Sequence, residues 1–168
     1  TLSCSSAASD VYKRQQGPLA WAMSLNSLGT ALQGLAQELG DVTQLEQAVE
    51  SYRSVLSEHT REQVPVAWAT TLNNLGTALQ VLAQVLGEQE PLEEAINVYR
   101  AALSERTRQT VPTMWATTLH NLGNALQTLG HEQHDPARIE EAIDTYRNAL
   151  LERRETQQPM ASARTLNN

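Results

Sequence analysis

From Trp68 to Leu86 the apolar positions Trp68, Leu72, Leu75, Leu79, Leu82 and Leu86 follow one another at intervals of 4, 3, 4, 3 and 4 residues. That spacing returns each side chain to one face of a 3.6-residue helix and predicts a helix with a leucine stripe. Pro65 suits its first helical position, where a missing N–H leaves no bond unmade, and Gly87 supplies a stop. A second stretch, with Leu92, Ala95, Ile96, Tyr99 and Leu103, has the same three-and-four spacing. Glu93 and Glu94 fall in its first turn, with Arg106 and Arg108 near its expected end. That is the charge order the helix dipole favours. Few residues join the two expected helices, so they should lie antiparallel.

The pattern recurs. LNSLGTALQ (25–33) returns as LNNLGTALQ (72–80) and LHNLGNALQ (119–127), a period of 47 residues. Trp21, Trp68 and Trp115 keep that period, as do Tyr52, Tyr99 and Tyr146, and Pro18, Pro65, Pro112 and Pro159. Three tandem two-helix units are expected, at 16–62, 63–109 and 110–156, with the start of a fourth at 157–168. Thr43-Gln-Leu-Glu46 has the form of a capping box and Asp135-Pro136 that of a cap with a first-turn proline. Gly40, Gly87 and Gly130 read as punctuation, in links of roughly 3–6 residues. Residues 1–15 share nothing with this pattern. Ser5–Gln15 resembles a translated sequencing adaptor, so the segment reads as a non-native or disordered leader.

Leu75-Gly76 with Leu79, then Ala95, Tyr99 and Ala102, form an L-G-x2-L…A-x3-Y-x2-A pattern. Leu28-Gly29 with Ala48 and Tyr52, and Leu122-Gly123 with Ala142, Tyr146 and Ala149, repeat it. This pattern resembles the tetratricopeptide repeat. The small residues, Gly76 and Ala95, are expected to let two helix backbones approach closely. Leu25, Leu72 and Leu119 stand where the family often has a first-helix Trp. The 47-residue period is similar to the longer variant of kinesin light chains and many large bacterial proteins. The resemblance implies an all-α, right-handed α-solenoid that binds ligands on the concave face lined by its first helices.

On that face the residues off the leucine stripe would be Asn26, Ser27, Thr30 and Gln33 in the first unit. Thr70, Asn73, Asn74, Thr77 and Gln80 follow in the second, and Thr117, His120, Asn121, Asn124 and Gln127 in the third. Amides carry both donors and acceptors, so a row of them can pair with the backbone of an extended peptide. Asn74 and Asn121 can equally bridge neighbouring units. Each Trp is expected to pack against the preceding unit's second helix, and each Tyr to be core with its hydroxyl at a polar edge.

Charge narrows the ligand. The chain of 168 residues has a formal net charge of −7, and without the leader ten arginines stand against eighteen carboxylates, a net −8. No basic face for phosphate is apparent, so nucleic acid is not expected as a partner. The leader holds the only Cys and the only Lys, Cys4 and Lys13. No apolar run approaches the ~18 residues of a membrane span. His131 and His134 lack the H-E-x-x-H spacing and are read as a polar link. His59 and His120 have no paired nucleophile. No catalytic residue, metal or cofactor is expected. The chain reads as a scaffold for a protein or peptide ligand, cytoplasmic, with further domains attached. A regulatory or sensor segment of a larger multidomain enzyme and a module that self-assembles through its open ends are the alternatives.

Overall fold

The computed structural model describes residues 18–58 and 60–157. The expected leader at 1–15, His59 and the fourth-unit segment at 158–168 lie outside the described residues. Six α-helices follow in order: α1 Pro18–Leu39, α2 Val42–Glu58, α3 Pro65–Leu86, α4 Glu90–Leu103, α5 Pro112–Glu132 and α6 Pro136–Gln157. Each packs against the helices before and after it, and the first helices α1, α3 and α5 touch in succession. The result is a helical solenoid of three stacked hairpins, with no strand among the described residues.

The helix ends follow from local chemistry. Prolines open α1, α3, α5 and α6, where their fixed φ is already helical. Gly87 takes a left-handed φ of 70° and returns its N–H to the Ala83 carbonyl at 2.8 Å. Gly40 ends α1 in the same way, at φ 67°. Asp135 caps α6 as expected, its carboxylate accepting the Ala137 N–H at 3.0 Å.

Four local expectations are corrected. The cap of α2 is Asp41, whose carboxylate accepts the Thr43 N–H at 2.9 Å; Thr43 is already helical, so no capping box forms with Glu46. Helix α4 stops at Leu103, leaving Arg100 as its last-turn cation; Arg106 and Arg108 lie beyond it. Gly130 is not a stop but a buried residue within α5, where a Cβ would lie 2.9 Å from Ile139 Cγ1. The turn falls later, at His134 with φ 53°, so His131 belongs to the last turn of α5 rather than to a link.

Between paired helices the close approach differs from backbone against backbone. A Cβ built on Gly29, Gly76 or Gly123 would lie 2.8, 2.6 or 2.7 Å from the ring of Tyr52, Tyr99 or Tyr146 respectively. Each glycine therefore makes room for the tyrosine ring of its own repeat. Around these pairs one continuous core runs through all three repeats, from Leu45 and Tyr52 through Leu75, Leu79, Ile96 and Tyr99 to Leu122, Leu126 and Ala142. Trp68 and Leu56 of α2 pack against one small cluster, Ala69, Leu72 and Ala102, and Trp115 and Leu103 of α4 against another, Ala116, Leu119 and Ala149.

Replacing Gly76 with Ala forces the Tyr99 ring aside and is expected to destabilise the fold by about 1–3 kcal/mol in urea unfolding. Gly34, also mid-helix, meets nothing within 4 Å. Gly34→Ala should instead stabilise by up to about 1 kcal/mol, the helix-propensity gain. Equal effects at the two sites would sink the ring-on-glycine account.

Candidate ligand-binding face

The leucine stripe is buried in α3, from Leu72 to Leu82, and in α5, from Leu119 to Leu129, whereas in α1 Leu28, Leu35 and Leu39 are exposed; in all three helices Thr, Asn and Gln lie off that stripe. The structure divides these residues among three tasks.

Asparagines at one register join neighbouring repeats. Asn26 donates to Thr71 Oγ1 at 3.1 Å and accepts from Asn74 Nδ2 at 3.2 Å. One repeat on, the Asn73 side-chain oxygen accepts from Thr118 at 3.0 Å and from Asn121 at 3.3 Å. Asn73 is only 9% exposed.

Other members hold the tyrosine hydroxyls. Tyr52 pairs with Thr30 at 3.1 Å. Tyr99 donates to Gln80 at 2.5 Å and lies 3.2 Å from Thr77. Tyr146 reaches Asn124 at 2.6 Å and Gln127 at 3.0 Å. Burial raises the pKa of all three phenols, most at Tyr99, and the Thr30 and Thr77 hydrogen bonds oppose it only in part at Tyr52 and Tyr99. Thr117 bonds the Thr113 carbonyl of its own helix, and His120 is exposed beside Tyr146, ring centroids 5.7 Å apart.

Thr70 serves a third purpose, which charge patterning on the sequence did not reveal. Arg106 is 3% exposed between the second and third repeats. Its guanidinium donates to Thr118 at 2.7 Å and to Thr70 at 3.0 Å, while Nε has no partner. Burial lowers its pKa. Nothing in the local sequence marks this arginine, since an Arg in a link is ordinarily solvated.

What stays open is a pair of clefts that share Thr77. One, of about 290 Å³, is lined by Thr30, Gln33, Gly34, Gln37, Tyr52, Asn74 and Thr77. The next, of about 510 Å³, carries Gln80, Val81, Gln84, Thr128 and Glu132 along α3 and α5. Gln37 and Gln84 were missed by the sequence reading, although each lies seven residues beyond a nominated threonine and so on the same helix face. Among the described residues, Gln33, Gln37 and Gln84 spend no amide on a protein partner. A further cleft, of about 570 Å³, lies on the side of the second helices and is acidic, with Glu46, Glu50, Glu90 and Glu94. No group of three metal-ligating residues occurs among the described residues.

The tetratricopeptide repeat family model matches residues 21–61, 68–108 and 115–153, each match opening on one of the three tryptophans. The chain belongs to the tetratricopeptide repeat family. Tetratricopeptide repeats are protein-interaction modules, and the three hairpins described above are three such repeats. No curated protein matches the chain. No helix among the described residues is long and apolar enough to cross a membrane.

Two outcomes follow. Asn73→Ala strands the Asn121 amide and should cost about 1–3 kcal/mol in urea unfolding, whereas Gln84→Ala, exposed in the cleft, should stay within about 0.5 kcal/mol. A raised phenol pKa adds stability that is fully present below the unfolded value of about 10 and lost as pH rises toward the folded value. The urea midpoint should therefore fall above pH ~10, and Tyr99→Phe should flatten that fall more than Tyr146→Phe. Identical alkaline profiles for the two variants would contradict the assignment.

Proposed function

We propose that this tetratricopeptide array is a scaffold that holds an extended protein segment along the face of its first helices. The observation that carries the reading is the run of two clefts joined at Thr77, with amides of Gln33, Gln37 and Gln84 uncommitted along it. An extended peptide presents alternating N–H and C=O groups, and a primary amide can answer both. In this reading the Tyr-bound Thr30, Thr77, Gln80, Asn124 and Gln127 form a stiff floor, while Asn26, Asn73, Asn74 and Asn121 set the angle between repeats. The lining holds no Lys or Arg. That suits a neutral backbone and suits neither a terminal carboxylate nor a phosphate chain.

The test is selection from a displayed peptide library, followed by affinity measurement on the enriched sequences. Gln37→Arg with Gln84→Arg should weaken binding about ten-fold or more, the loss expected when two central contacts become desolvated charges. Glu46→Arg, in the acidic cleft on the other side, should leave it unchanged. Binding that responds to Glu46→Arg and not to the glutamine pair would overturn the assignment.

A further inference from the structure

Four of the five glycines inside the described helices have a neighbour that accounts for them, and Gly34 does not. Gly29, Gly76 and Gly123 each receive a tyrosine ring and Gly130 faces Ile139, whereas a Cβ on Gly34 would meet nothing within 4 Å. A mid-helix glycine lowers helix stability, so this one calls for a reason outside the packing of its own hairpin. It is exposed and lines the first cleft together with Tyr52. At the same register one and two periods on stand Val81 and Thr128, both in the lining of the second cleft. The second cleft thus has side chains where the first has a gap.

The polar groups around the gap decide what fits it. The Thr30 hydroxyl is already bonded to the Asn26 carbonyl and to Tyr52, at 3.0 and 3.1 Å. Thr77 is engaged in the same way by the Asn73 carbonyl and Tyr99, at 3.0 and 3.2 Å. Asn74 gives its N–H to Asn26 at 3.2 Å. A polar group pressed into the gap would exchange water for few new bonds, whereas an apolar side chain has no bond to lose. The second cleft differs in charge. Glu132, at the end of α5, is exposed, is the one charged residue in the described lining of the two clefts, and pairs with no described residue.

Geometry sets the spacing between these two features. Packed helices stand about 10 Å apart, and Glu132 lies one further helical turn, about 6 Å, beyond the register of Gly34. The combined offset of about 12 Å equals three to four residues of extended chain at about 3.3 Å each. Gln33, Gln37 and Gln84 each offer donor and acceptor, so they serve either chain direction.

We propose that the segment held on this face seats a large apolar side chain in the gap at Gly34 and sets a lysine or arginine opposite Glu132, about three or four residues away. This specificity rests on the extended-segment reading given above. The test uses the whole chain and a displayed twelve-residue peptide library, selected in parallel against the unaltered protein and Glu132→Arg. Enriched sequences should pair an apolar residue with a basic one at that spacing, and Glu132→Arg should exchange the basic residue for an acidic one. On a synthetic copy of an enriched peptide, alanine at the apolar position should weaken binding about ten-fold. Against Gly34→Leu, whose side chain fills the gap, the same change should matter less than about two-fold. Gly34→Leu meets no neighbour, so its urea midpoint should not fall, which separates lost binding from lost fold. Peptides that respond to Gln37→Arg with Gln84→Arg but lack the apolar–basic pair, or keep it against Glu132→Arg, overturn this specificity and leave the extended-segment reading standing. Peptides indifferent to the glutamine pair, or no enrichment at all, overturn both.

Discussion

A tyrosine ring laid on a glycine sets the distance between the two helices of every repeat. The ring needs the space a Cβ would take, and the glycine costs helix propensity wherever it stands. In return the phenol crosses the hairpin and ends its hydroxyl on the first helix, against Thr30 in the first repeat, Thr77 and Gln80 in the second, and Asn124 and Gln127 in the third. One side chain thus fills the core, fixes the hairpin spacing and organises the polar face. The same contact recurs at the same period in all three hairpins, so the spacing of their paired helices is set in the same way and the units can stack.

Stacking then needs a second, independent constraint, since apolar faces alone tolerate sliding and rotation. The asparagine bonds supply it, with Arg53–Glu94 and Arg100–Glu141 at the solvent edge. Exposed pairs of this kind contribute little energy, roughly 0–1 kcal/mol each. The half-buried amides matter more, because a slipped register would leave them unpaired away from water. The buried Arg106 is stricter still: its guanidinium is held by two hydroxyls from successive first helices, so the second and third repeats are tied at one angle. Groups used in this way are unavailable to a ligand. The proposed binding face is therefore narrower than the polar stripe that carries it.

Much of the architecture was legible because it is periodic. The leucine spacing, the prolines at helix starts and the glycines after α1 and α3 each act within a few residues, and the family motif rests on the same positions. The points that were misread lie where a local cue meets a tertiary contact. Thr43 has the spacing of a capping residue, but Asp41 stands two residues earlier and takes the role with a stronger acceptor. Gly130 looks like a stop, yet α6 folds back so closely that Ile139 and Arg138 occupy the space a side chain would need.

The amino-acid order alone determined the helices, their pairing into repeats, the apolar stripe that is buried in α3 and α5, and the family, since each depends on spacing along one chain. It also named a pool of polar residues on the first helices. Which of them brace tyrosines, which join repeats and which still face a cleft was decided only in three dimensions. Asn73 and Asn74 are adjacent in the chain and identical in chemistry, yet one bonds forward to the third repeat and the other back to the first. That division depends on the 100° between successive residues of a helix and on what the neighbouring hairpin places there.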